Sequence, residues 1–109
     1  METFQISFND VDEAESNLLA QDLENTLEAV LPEGAVTRKK RNSKTQDFGG
    51  TLVLVLGTPV AIIAAKAIHE FLVRNSGASI EISKDGDIVA RNLASADAAK
   101  IAEALARKS

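Results

Sequence analysis

From Phe48 to Ala65 the chain runs eighteen residues without a charge, FGGTLVLVLGTPVAIIAA, between strongly charged flanks. Such a stretch must be the spine of a soluble core, a membrane span, or a surface that a partner covers. A bilayer crossing takes ~20 apolar residues, so eighteen sits at the lower limit. Gly49, Gly50, Gly57 and Pro59 interrupt the run, Lys66 ends it early, and no aromatic belt flanks its far end. The stretch therefore reads as two core segments broken near Gly57. Thr51–Leu56, TLVLVL, is too short for periodicity to separate strand from helix. Leucine is a good helix former, which tilts the reading towards a short helix. Thr58 then Pro59 gives a hydroxyl cap followed by proline at a first helical position. The helix it starts is expected to reach about Asn75, with Val60, Ile63, Ala64, Ala67, Phe71 and Leu72 inward and Gly77 as its C-terminal cap.

The flanking sequence supplies amphipathic elements that need such a core. Phe4, Ile6 and Phe8 alternate with Gln5 and Ser7, the period of a half-buried strand. Asp12 followed by Glu15 is a capping-box pattern, and it opens a helix with Ala14, Leu18, Leu19, Leu23, Leu27, Val30 and Leu31 at helical spacing. Pro32 and Gly34 stop it. Ala35–Arg41, AVTRKKR, reads as a strand whose basic tail suits a sheet edge. Asn42–Asp47 has loop composition. Ala78–Ser83 and Ile88–Leu93 flank Lys84-Asp85-Gly86-Asp87, a strong hairpin signal. Ser95 is expected to cap a last helix with Ala98, Ile101, Ala102 and Leu105 inward, and Arg107 and Lys108 at its negative end.

The expected fold is α+β. It is a small two-layer sandwich of order β-α-β-α(α)-β-β-α, with a mainly antiparallel sheet of about four strands and helices on one face. A chain of 109 residues makes this one domain, residues 1–109.

Composition removes several functions. The chain has no cysteine, which excludes disulfides, thiolate metal sites and cysteine catalysis, and suits a reducing cytoplasm. The start, METFQISFND, lacks the pattern of a signal peptide. A net charge of −4 weighs against a general nucleic-acid binder. No catalytic, metal-binding or cofactor motif stands out.

The sharpest charge feature is Arg38, Lys39, Lys40, Arg41 and Lys44. It offers a surface to an acidic partner or, as the alternative function, to nucleic-acid phosphates. Alternate residues of a strand face opposite sides, and no aromatics interleave for base stacking. His69, the only histidine, lies beside Glu70, but neighbours on a helix diverge by about 100° and cannot act as an acid–base pair alone. Gly49-Gly50 and Gly57-Thr58-Pro59 read as turn chemistry, since no phosphate-loop pattern accompanies them. Glu24 and Glu28 form a like-charge i,i+4 pair, unfavourable unless something basic covers it.

From about Asp47 onward the chain resembles the effector-associated constant component family (first type) of bacterial conflict systems. The resemblance is carried by Phe48-Gly49-Gly50, Leu54-Val55-Leu56-Gly57, Pro59 to Arg74, Ser79 to Ile82, Lys84-Asp85-Gly86 and Asp97 to Leu105. It implies a non-enzymatic adaptor or scaffold that accompanies effectors, often peptidases, in conflict or defence. The segment Arg38 to Thr45 departs from the family, being more basic and less Pro-rich. The resulting expectation is a cytoplasmic, non-catalytic interaction module without cofactor. Its partner would be another protein, such as a peptidase or other effector, or a second copy added at an edge strand. The partner surface is expected at Arg38, Lys40, Lys44, Lys66, His69 and Glu70, within the apolar Gly50–Phe71 region, the edge strand, or both.

Overall fold

The computed structural model describes residues 2–40 and 48–106. The loop expected at 42–47, together with Lys44, and the basic pair expected at 107–108 lie outside them. The elements are β1 (Glu2–Phe8), α1 (Glu13–Glu28), β2 (Val36–Lys40), β3 (Phe48–Leu56), α2 (Thr58–Arg74), β4 (Ile80–Lys84), β5 (Asp87–Leu93), a 3₁₀ turn (Ser95–Asp97) and α3 (Ala98–Leu105). The class is α+β, as expected, with one five-stranded antiparallel sheet in the order β2-β3-β1-β4-β5.

The additional strand is β3. The run Thr51–Leu56, read above as a short helix, is extended and pairs with β1 on one side and β2 on the other. Leu52, Leu54 and Leu56 alternate into the core, while Val53 and Val55 occupy the opposite face. Both faces carry apolar side chains, so alternation is invisible in hydropathy although it governs the packing. The uncharged stretch is thus divided near Gly57, as expected, but into a strand and a helix. Among the described residues no helix is long and apolar enough to cross a membrane.

Register aligns the inward residues. Phe4 lies between Leu54 and Lys84, Ile6 between Leu52 and Ile82, and Phe8 beside Ile80. Helices cover this side, and Phe8 meets Phe71 of α2 edge-to-face with ring centroids 6.0 Å apart. The other side carries Thr3, Gln5, Ser7, Thr37, Thr51, Glu81 and Ser83, exposed or half-buried. Ser7 and Thr51 hydroxyls meet there at 3.2 Å, and Arg91 reaches Glu81 at 3.7 Å. An antiparallel sheet with one wet face follows. On the inward side Lys84 is buried, its ammonium 3.3 Å from the Glu2 carboxylate.

Local signals were obeyed unevenly. Asp12 caps α1, accepting the Glu15 N–H at 2.8 Å. Asp85 and Gly86 both take positive φ, 52° and 88°, forming the two-residue hairpin turn. The cap of α2 is Gly57 rather than Thr58, and its C-cap is Asn75 rather than Gly77. Asn75 returns its side-chain amide to the Phe71 carbonyl at 2.9 Å. Ser95 opens the 3₁₀ turn, and Asp97 accepts the Ala94 N–H at 2.9 Å.

The inward stripe of α1 is Ser16, Ala20, Leu23 and Leu27, continued by Leu31 just past its end, rather than one containing Ala14 and Leu18, which are exposed. Gly50 explains the rotation. A Cβ there would overlap Ser16 Oγ and approach the Ser16 backbone carbonyl carbon to 3.1 Å. Helix and strand touch closely at this point, so only small residues fit between them. On α2, Ile63 is exposed rather than inward, and the helix packs through alanines, Ile68, Phe71 and Leu72. On α3, Ala104 is inward with Ile101 and Leu105, while Ala98 and Ala102 are exposed.

Candidate functional site

The expected partner surface separates into two regions and does not converge. Lys66 and Glu70 are exposed on the outer side of α2. His69 is half-buried, its Nε2 2.9 Å from the Ser95 carbonyl. That geometry makes His69 a strap between α2 and the 3₁₀ turn. Most of the apolar Gly50–Phe71 region is core: Leu52, Leu54, Leu56, Ala61, Ala64, Ala65, Ala67, Ile68 and Phe71 are all buried. Only Ile62 and Ile63 remain as large exposed apolar side chains within it, besides Val55 on the open sheet face.

Arg38 belongs to the other region, a groove between the outer strand β2 and α1. Gln21, Glu24, Asn25 and Glu28 form the helix wall, and Val36, Thr37 and Arg38 form the strand side, enclosing about 580 Å³. Arg38 is half-buried and donates from Nη2 to Asn17 Oδ1 at 3.3 Å. The Glu24 carboxyl is raised above its usual value by burial first and by Glu28 second, while Arg38 works in the opposite direction. Glu24 and Glu28 thus place two like charges on the helix wall, with Arg38 of β2 facing Glu24. The groove continues past Glu28 and Val36 to Leu31, Pro32, Glu33 and Gly34. Lys40 ends β2; Lys44 lies outside the described residues.

Hydrogen-bond phase fixes which main-chain groups face outwards. The Val55 N–H donates to the Ala35 carbonyl at 2.8 Å, and Val36 pairs with Leu54. In an antiparallel ladder bonded and non-bonded pairs alternate, so Ala35 and Thr37 bond towards β3 while Val36 and Arg38 direct their N–H and C=O groups outwards. No strand among the described residues flanks β2 on that side. Sequence reasoning found the basic edge but missed the acidic wall as part of the same site. The like-charge pair Glu24/Glu28 was the available signal.

The far edge, β5, differs. Ile80 pairs with Leu93, Ile82 with Ala90, and Ser83 with Ile88, so β5 holds an extra residue twice. Asn92 takes φ 53° at the first of these bulges. On β2 the register also shifts, but the surplus is on β3: Arg38 pairs with Leu52 and Lys40 with Phe48. The glycines at 49 and 50 lie in that surplus, and β2 itself is even through Val36–Arg38.

Among the described residues no group of three or more His, Asp or Glu side chains could hold a metal ion. No family model, curated protein or solved structure matches the chain.

Proposed function

We propose that this chain is a non-catalytic protein-interaction module that binds by strand addition at β2. The observation carrying this reading is the even outer side of Val36–Arg38, with outward main-chain groups beside a polar groove. Strand addition obtains affinity from main-chain hydrogen bonds and selectivity from pockets that take alternate side chains. Glu24 and Glu28 favour a basic side chain entering the groove. The adaptor role implied by the resemblance to effector-associated components agrees with this use, as does a cytoplasmic setting for a chain without cysteines. Nucleic-acid binding is the weaker reading, because Arg38 leans into the groove towards Asn17 and an acidic wall stands beside it.

The test is selection of extended peptides on the immobilised protein, followed by amide hydrogen exchange of the complex. Selected peptides should carry Lys or Arg at alternate positions and slow exchange at Val36 and Arg38. Binding should be lost in Arg38→Pro, which removes an outward N–H without breaking a bond to β3. Peptides that protect α2 or β5 instead would refute the assignment.

A further inference from the structure

We infer that the segment occupying the β2 edge is β2 of a second copy, paired about a two-fold axis through Thr37 so that two sheets join into one. This rests on the strand-addition reading and names its partner. In an antiparallel self-pairing centred on Thr37, Val36 lies opposite the partner's Arg38, and Thr37 opposite the partner's Thr37. The phase is correct: Val36 and Arg38 carry the outward main-chain groups, so they form the bonded pairs, and the Thr37 pair is non-bonded.

Charge complementarity supports this register. The chain approaching β2 is acidic, with Glu24 and Glu28 on the wall and Glu33 before the strand, while the strand ends in Arg38, Lys39 and Lys40. Antiparallel self-pairing sets each basic end against the other copy's acidic end. Because Glu28 and Val36 line one groove, the partner's Arg38 opposite Val36 falls beside Glu28. The like-charge pair thereby gains a cation. A register centred on Arg38 would instead oppose two arginines, which is unfavourable. The two edges also decide closure. Joining β2 to the partner's β5 would repeat without end, but the bulges of β5 spoil that pairing. Pairing of like edges about a two-fold axis closes, and the bulges of β5 leave β2 against β2 as the even choice.

The chain has no cysteine, so single introduced cysteines report geometry directly. Thr37 is exposed on the open face. In a non-bonded antiparallel pair the Cα atoms stand about 4.5 Å apart, within disulfide range. Thr37→Cys in a glutathione buffer should therefore form a covalent dimer much faster than Lys39→Cys or Ile88→Cys. Light scattering of the unmodified protein across the micromolar range should show a dimer. Arg38→Glu should weaken it by at least roughly tenfold, about one charge pair, and adding Glu28→Lys should restore it. Circular dichroism of each variant reports folding independently. A protein that stays monomeric throughout overturns the inference, as does a dimer whose Thr37→Cys variant links no faster than Ile88→Cys. If such a monomer still binds basic extended peptides at β2, strand addition survives and only the second copy is lost.

Discussion

β2 and β5 close the same sheet on opposite sides, yet they treat the problem of an exposed edge differently. β5 is irregular in itself, with two surplus residues and a left-handed Asn92. β2 is even, and the surplus that bends this side of the sheet lies one strand inward, at 49 and 50 of β3. A bulge on the outermost strand spoils pairing with a newcomer, whereas a bulge on its inner neighbour leaves the outer ladder intact. Among the described residues the protection of β2 is charge, at Arg38, Lys39 and Lys40, and charge can discriminate between strands where a bulge disfavours them all. The difference separates an edge whose own strand is bulged from one whose outer side is even, and the proposed strand addition rests on that contrast.

Substitutions at four positions break or sharpen this contrast. Phe71 is fully buried against Phe8 and stands beneath the sheet that carries both edges. Phe71→Ala should cost about 4 kcal/mol in a denaturant titration. Amide exchange should then quicken at both edges together; quickening at β5 alone would show that they open as separate units. Gly50→Ala should cost about 2 kcal/mol, because the new Cβ overlaps Ser16 and overpacks the helix–strand contact. Here exchange should quicken first in β2 and β3.

Asn92→Val places a branched side chain at φ 53° and should cost about 1 kcal/mol by thermal melting, while Asn92→Gly should be nearly neutral. Equal effects of the two would mean that the left-handed turn does not shape β5. The smallest effect belongs to Glu24→Gln. A carboxyl whose folded value is raised binds its proton more tightly in the folded state. That contribution favours folding at low pH and is lost as pH rises past the ordinary carboxylate value and through the folded one. Glu24→Gln should therefore flatten the decline in stability just above pH 4.5. An unchanged slope in melting temperature against pH would place the decline on other carboxylates.

Much of the architecture was legible because local chemistry and packing agree there. Asp12 caps α1, Asp85-Gly86 turns the hairpin, and Phe4, Ile6 and Phe8 alternate inward as written. The strand at Thr51–Leu56 was not legible because Val53 and Val55 are apolar on the open face, erasing the alternation that leucines 52, 54 and 56 obey. The phase of α1 was hidden for a related reason. Its inward position at the Gly50 contact is Ser16, so the hydrophobic Leu18 drew the expected face to the wrong side. The candidate site was half visible. Arg38 announced itself by charge, but its juxtaposition with Glu24 and Glu28 depends on how α1 crosses β2, which no local pattern encodes.

The position of β1 has a consequence for how the polypeptide matures on the ribosome. This strand is made first among the described elements, yet it lies at the centre of the sheet, between β3 and β4. Phe4 cannot acquire its neighbour Lys84 until most of the chain has been translated. Both main-chain edges of β1 must therefore wait for their partner strands, and α1 is the one helix made early enough to cover Phe4 and Ile6 meanwhile. Slow, late-stage closure of the sheet is the expected signature of that wiring.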